Sequence, residues 1–158
     1  MQSPSHQIDH SLRELARQQP LRLGISGHCM HPALQDGAAV LIQPRRGPYL
    51  PGDVLVFRAN DGRHYCHRLM VAYRRRGEPR YLTQSDNGPR PDASFPPARI
   101  LGRVIGGECA PSIHSPTLPH RLQCAWRGGL FLLRRAFGGA KGLDHGFGHR
   151  AKYGPDRS

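Results

Sequence analysis

The chain has 158 residues, enough for one compact domain with its own core and too few for two of ordinary size. Its 23 Lys and Arg residues against 11 Asp and Glu give a formal net charge of +12, a surface drawn to polyanions and anionic lipid. No window approaches the ~20 consecutive apolar residues needed to cross a bilayer, which excludes a spanning helix within this sequence.

The first ten residues are polar and include Asp9, so they do not read as a secretory leader. Ser11 to Gln18 predicts a short helix: Ser11 caps it, Glu14 completes the capping-box pattern, and Pro20 stops it. Leu21, Leu23 and Ile25 then alternate with Arg22 and Gly24 as a strand with one buried face, ending in the Ser26-Gly27 turn. After Pro32 a brief turn closes at Asp36-Gly37, and the apolar run Ala38 to Ile42 reads as a buried strand. Asp36 and Asp53, each beside a glycine, read as turn residues without chemistry.

Pro44 to Pro51 is a connection, followed by the strand Val54 to Phe57. Asn60-Asp61-Gly62 is a hairpin turn that sends the chain back through Arg63 to Tyr73. Arg74-Arg75-Arg76-Gly77 makes an exposed turn, and Arg80 to Thr83 is the next strand. Ser85 to Pro97 is irregular, rich in Asp, Asn, Gly and Pro, and Arg99 to Ile105 is the closing strand. Six short strands joined by hairpin turns predict a mostly β domain over residues 21–106, preceded by an N-terminal extension of residues 1–20.

Beyond Gly106 the pattern changes. Leu118, Leu122, Ala125, Trp126, Leu130 and Leu133 recur at three- and four-residue spacing, which predicts an amphipathic helix within residues 107–137. Gly128-Gly129 weakens that helix by about 1 kcal/mol per glycine. Packing against the β domain accounts for the apolar positions; an anionic membrane surface, met through residues 118–137 with Trp126, Phe131 and Phe137 as anchors beside Arg127, Arg134 and Arg135, accounts for them equally. Residues 138–158 have the glycine, histidine and basic composition of a disordered tail.

Four cysteines, Cys29, Cys66, Cys109 and Cys124, show no C-x-x-C spacing and read as reduced thiols in a reducing compartment, the cytoplasm. Cys29 stands apart because it falls within Ser26-Gly27-His28-Cys29-Met30-His31-Pro32, between a glycine turn and a proline. A thiol on such a turn is a candidate nucleophile if a base is brought to it, and a small buried hydrophobe otherwise. His67 is the candidate base, although alternation places it on an apolar strand face where a core histidine also fits. Asp86 and Asp92 can each orient an imidazole, or simply shape an Asx turn.

Cys29, His31, His64, Cys66 and His67 include zinc-ligating types, but without paired knuckles, and His64 and Cys66 point away from His67 on the same strand. No metal or cofactor is therefore assigned. The basic clusters Arg74 to Arg76 and Arg134-Arg135 come without a recognition helix or an RNA-binding signature, so no specific nucleic acid is expected.

Taken in order, these motifs resemble the signal peptidase I superfamily, which includes the self-cleaving repressor peptidases. Gly27-His28-Cys29-Met30-His31-Pro32 is similar to the family's nucleophile motif, with cysteine where the family has serine. Pro51-Gly52-Asp53-Val54-Leu55-Val56-Phe57 resembles its glycine-aspartate-valine strand, and Leu101-Gly102-Arg103-Val104-Ile105 its closing strand. His67-Arg68 matches the histidine-arginine pair of the endoplasmic-reticulum and archaeal branch rather than the lysine of the bacterial type. The chain's lysines, Lys141 and Lys152, both lie in the tail. Ser85-Asp86-Asn87 and Asp92 keep that branch's two aspartates at their separation, with serine replacing a glycine.

The resemblance covers Leu21 to about Ile105 and implies a signal peptidase-like β domain carrying Cys29 as nucleophile and His67 as base. It implies Asp92 as support for His67, and Asp86 as a loop organiser or second polar contact. Without the family's membrane anchor, the expected activity is that of a soluble maturation peptidase acting on an extended peptide or small protein. A noncatalytic adaptor keeping the same β fold is the alternative.

Overall fold

A computed structural model describes Ser11, Glu14 and residues 19–44 and 48–137; most of the predicted helix at 11–18 and the whole tail at 138–158 lie outside the described residues. The protein is mostly β. Six strands form one antiparallel sheet: β1 (Leu21–Gly24), β2 (Ala39–Gln43), β3 (Val54–Arg58), β4 (His64–Arg75), β5 (Glu78–Gln84) and β6 (Ile100–Gly107). Their spatial order is β1-β2-β6-β3-β4-β5, so the closing strand β6 sits between β2 and β3 and joins the two halves of the sheet. A short helix α1 (Pro111–His114) and a long helix α2 (Leu118–Phe137) follow.

β3 shows why the sheet holds. Its first four residues are all buried, and their alternation feeds two apolar clusters. Val54 and Val56 join Met30, Leu34, Val40 and Val104, whereas Leu55 and Phe57 join Leu69, Phe95 and Ile100. Each such side chain contributes roughly 1.5–3 kcal/mol on leaving water. The Asn60–Gly62 turn forms as expected, with Gly62 N–H donating to Ala59 O at 3.1 Å and Ala59 N–H to Arg63 O at 2.9 Å. β4 runs further than alternation indicated, carrying on through Arg74 and Arg75 to a tight turn at Arg76-Gly77, because β5 pairs with it to the very end.

The helix differs more instructively. Gly128-Gly129 does not interrupt it. Gly128 is buried against β4, where an added Cβ would lie 2.9 Å from Val71 Cγ1 and 3.0 Å from Met70 Cβ. The missing side chain is what lets helix and strand approach. The face toward the sheet therefore carries Cys124 and Gly128, while Leu118, Leu122, Trp126 and Leu133 of the predicted apolar stripe face solvent. Phe131, expected as an exposed anchor, is half-buried instead.

A salt link fixes this rotation of the helix. Arg121 donates to Asp53 Oδ1 at 3.0 Å and to Pro51 O at 2.9 Å. Asp53 also accepts the Leu50 N–H at 2.9 Å and lies 3.4 Å from Arg103, so this fully buried carboxylate is a junction between β3, β6 and α2 rather than a plain turn residue.

Gly128→Ala is expected to lower stability by roughly 1–3 kcal/mol in urea unfolding, despite alanine's better helix propensity, because strand atoms occupy the new methyl's place. Gly129 has nothing within 4 Å of such a methyl, and Gly129→Ala is expected to stabilise by up to about 1 kcal/mol.

Candidate active site

The Cys29 turn is built from both sides. Gly27 has φ of +104°, a conformation that favours glycine, and its N–H donates to Asp36 Oδ1 at 2.7 Å. Inside, Met30 is fully buried in the first apolar cluster and anchors the turn to the core. Outside, the 85–87 loop grips the Cys29 carbonyl: Ser85 Oγ–H donates to Cys29 O at 2.5 Å and Asn87 N–H to the same oxygen at 3.1 Å. The turn's internal bonds are His31 N–H to His28 O and Leu34 N–H to Met30 O. The Cys29 and Met30 N–H groups take no part in the hydrogen bonds among the described residues.

Cys29 is half-buried, with its sulfur 3.6 Å from Cys66 O on β4, beside the His67 ring whose protonation it influences. His67 lies among aromatic rings, its centroid 5.9 Å from that of Phe57 and 5.7 Å from that of Tyr65. Its Nδ1–H donates to Asp92 Oδ2 at 2.7 Å. That carboxylate oxygen also accepts Thr83 Oγ1–H at 2.7 Å, and Asp92 N–H donates to Thr83 O at 2.8 Å. Asp92 is placed because residues 92–95 double back along β5: Phe95 exchanges backbone bonds with Tyr81 and stacks on Phe57 at 4.1 Å. With Nδ1 committed to Asp92, Nε2 is left for the sulfur, the tautomer that a thiol-imidazole pair needs.

Burial draws the His67 pKa down, but the hydrogen bond to Asp92 and the influence of the nearby Asp92 and Cys29 outweigh it, and the pKa is pushed up to about 9. At neutral pH the ring holds its proton, and the sulfur faces an imidazolium. Cys66, deep in the core beside Cys29, is the opposite case: burial pushes its thiol far up, with the neighbouring Cys29 adding to it, so it stays inert.

The structure thus joins His67 to Asp92 and places the Cys29 sulfur on the carbonyl of the neighbouring Cys66. Asp86 is not part of that arrangement. It receives a two-pronged ion pair from the buried Arg68, Nε to Oδ1 at 2.8 Å and Nη2 to Oδ2 at 2.6 Å, while Arg68 Nη1 donates to Gly52 O and Ser112 O at 3.0 Å each. Asp86 therefore holds the loop whose Ser85 and Asn87 fix the Cys29 carbonyl.

Ser85, Asn87, Thr83 and Arg68 are supporting residues whose roles were not read from the sequence. The adjacency of Arg68 to the candidate base was the available signal for one of them. Among the described residues, no group of three or more His, Cys, Asp or Glu side chains is arranged to hold a metal ion, and no helix is long and apolar enough to cross a membrane. All four cysteines are free thiols. A scan against protein-family models finds no match to this chain, and a search of curated proteins finds none either.

Proposed function

We propose that this chain is a cysteine peptidase with a β domain of the signal peptidase type, cleaving a peptide bond in a small protein or leader peptide. The observation that carries the reading is the 2.7 Å hydrogen bond from His67 to Asp92 with the half-buried Cys29 beside that ring, its sulfur on the carbonyl of the preceding residue, Cys66. In the resting pair the thiol proton already sits on His67, so a thiolate faces the imidazolium that Asp92 stabilises. The sulfur forms a bond to the scissile carbonyl carbon, and the resulting oxyanion is held by the free N–H groups of Cys29 and Met30. The carbon–nitrogen bond breaks as His67 returns the proton to the leaving amine. Water, deprotonated by His67, then attacks the thioester, releasing the acid and restoring the thiolate beside the imidazolium. A reducing compartment such as the cytoplasm suits a free-thiol nucleophile.

The test is competitive alkylation of the folded protein at neutral pH, with site-by-site readout by mass spectrometry. Cys29 is expected to react roughly tenfold or more faster than Cys109, which is also half-buried but has no imidazole partner in the site. Equal rates at the two positions would remove the activated nucleophile and leave a noncatalytic adaptor as the better account.

A further inference from the structure

Exposed apolar surface is concentrated on one helix. Six large hydrophobic side chains stand exposed among the described residues, and five of them, Leu118, Leu122, Trp126, Leu133 and Phe137, lie on α2 at 54–83% exposure. Their spacings of four, four, seven and four residues place them on a single stripe, turned away from the Cys124 and Gly128 face that packs on β4. Over the helix's 20 residues the stripe is about 30 Å long. Soluble proteins rarely leave such a run of large apolar side chains unpartnered.

Charge decides between occupants. α2 contains no Asp or Glu, while Arg127 and Arg134 follow one border of the stripe. Two copies meeting face to face would bring these arginines together with no carboxylate on either helix to offset them. An anionic bilayer surface complements the apolar stripe and the cationic border at once.

We propose that α2 docks the protein flat on an anionic lipid surface, with Leu118, Leu122, Trp126, Leu133 and Phe137 entering the headgroup boundary and Arg127 and Arg134 meeting lipid phosphates. The docked state lies on the membrane without crossing it. A small cavity of about 110 Å³ between α2 and the 85–86 loop is lined by Ser85, Asp86, His120, Cys124 and Arg127, so the inner flank of the docked helix adjoins the loop that holds the Cys29 turn. The docking is independent of the peptidase reading.

The test uses the full chain in flotation with phosphatidylcholine vesicles, with and without phosphatidylglycerol. Binding is expected only with the anionic lipid. Trp126 is the sole tryptophan, so its emission is expected to shift to the blue on the same vesicles. Leu122→Gln/Leu133→Gln and, separately, Arg127→Glu/Arg134→Glu are each expected to weaken binding roughly tenfold or more with unchanged unfolding midpoints. Trp126 emission unmoved by anionic vesicles would overturn the proposal. So would undiminished binding of the double-glutamine variant, which would assign attachment to charge elsewhere on the chain. A dimer in sedimentation equilibrium that the same variant dissociates would assign the face to a second copy instead.

Discussion

His67→Ala is expected to lower peptide hydrolysis by roughly a hundred- to ten-thousandfold and to slow alkylation of Cys29 at neutral pH. In the proposed mechanism the imidazole is the proton donor for the leaving amine as well as the partner of the sulfur, so neither acylation nor thioester hydrolysis would keep its proton path without it. Cys29→Ala is expected to leave no hydrolysis at all, and an active Cys29→Ala protein would refute the mechanism. Alkylation of Cys29 at an unchanged rate in His67→Ala would count equally against the pair.

The pH dependence of the wild type follows from the same contact. A pKa pushed up to about 9 keeps the imidazolium present through neutrality, and the proton donor is lost as pH rises through that value. Asp92→Asn removes the main opposing charge, so the alkaline limb of activity is expected to move down by roughly one to two pH units. Stability carries the same sign. A folded-state pKa above the ordinary value of 6.5 stabilises the fold fully below about pH 6.5, and that contribution, up to about 3 kcal/mol, fades as pH rises through about 9. Unfolding midpoints are expected to fall across that window in the wild type and to change less in Asp92→Asn.

The strands were legible because alternation and turn residues are local signals. Leu21 to Ile25, Val54 to Phe57 and the Asn60–Gly62 hairpin declare themselves within a few residues. The nearness of Cys29 to His67 was suggested only by the order of motifs, since it depends on β4, through Cys66, passing beside the Cys29 turn. The helix exposes the limit of periodicity. Spacing identifies an apolar stripe on α2 but not which face meets the sheet. That choice is made by Gly128, which gains its close approach only against Met70 and Val71, and by Arg121, which reaches Asp53 some 68 positions back in the chain. Asp53 differs for the same reason: beside Gly52 it has the local look of a turn residue, and its partners Arg103 and Arg121 come from β6 and α2.

Asp86→Ala is expected to destabilise the protein by about 3–4 kcal/mol, because it leaves the guanidinium of Arg68 buried without a counter-charge. The carbonyls of Gly52 and Ser112 still accept from Arg68, which holds the loss to the lower part of the range for broken buried pairs. Arg68→Met/Asp86→Ala separates the two roles of the carboxylate. Removing both charges is expected to restore most of the stability, since a buried pair and a well-packed apolar replacement differ little in free energy. Reactivity of Cys29 is not expected to return with it. Ser85 and Asn87 still need the Arg68 anchor to hold the Cys29 carbonyl, and a turn free to shift no longer keeps its sulfur beside the His67 ring. Alkylation of Cys29 at the wild-type rate in the double variant would reduce Asp86 to a purely structural residue. Full stability in Asp86→Ala alone would show that the carbonyls suffice for Arg68, and that the loop is held by Ser85 and Asn87 without help from the ion pair.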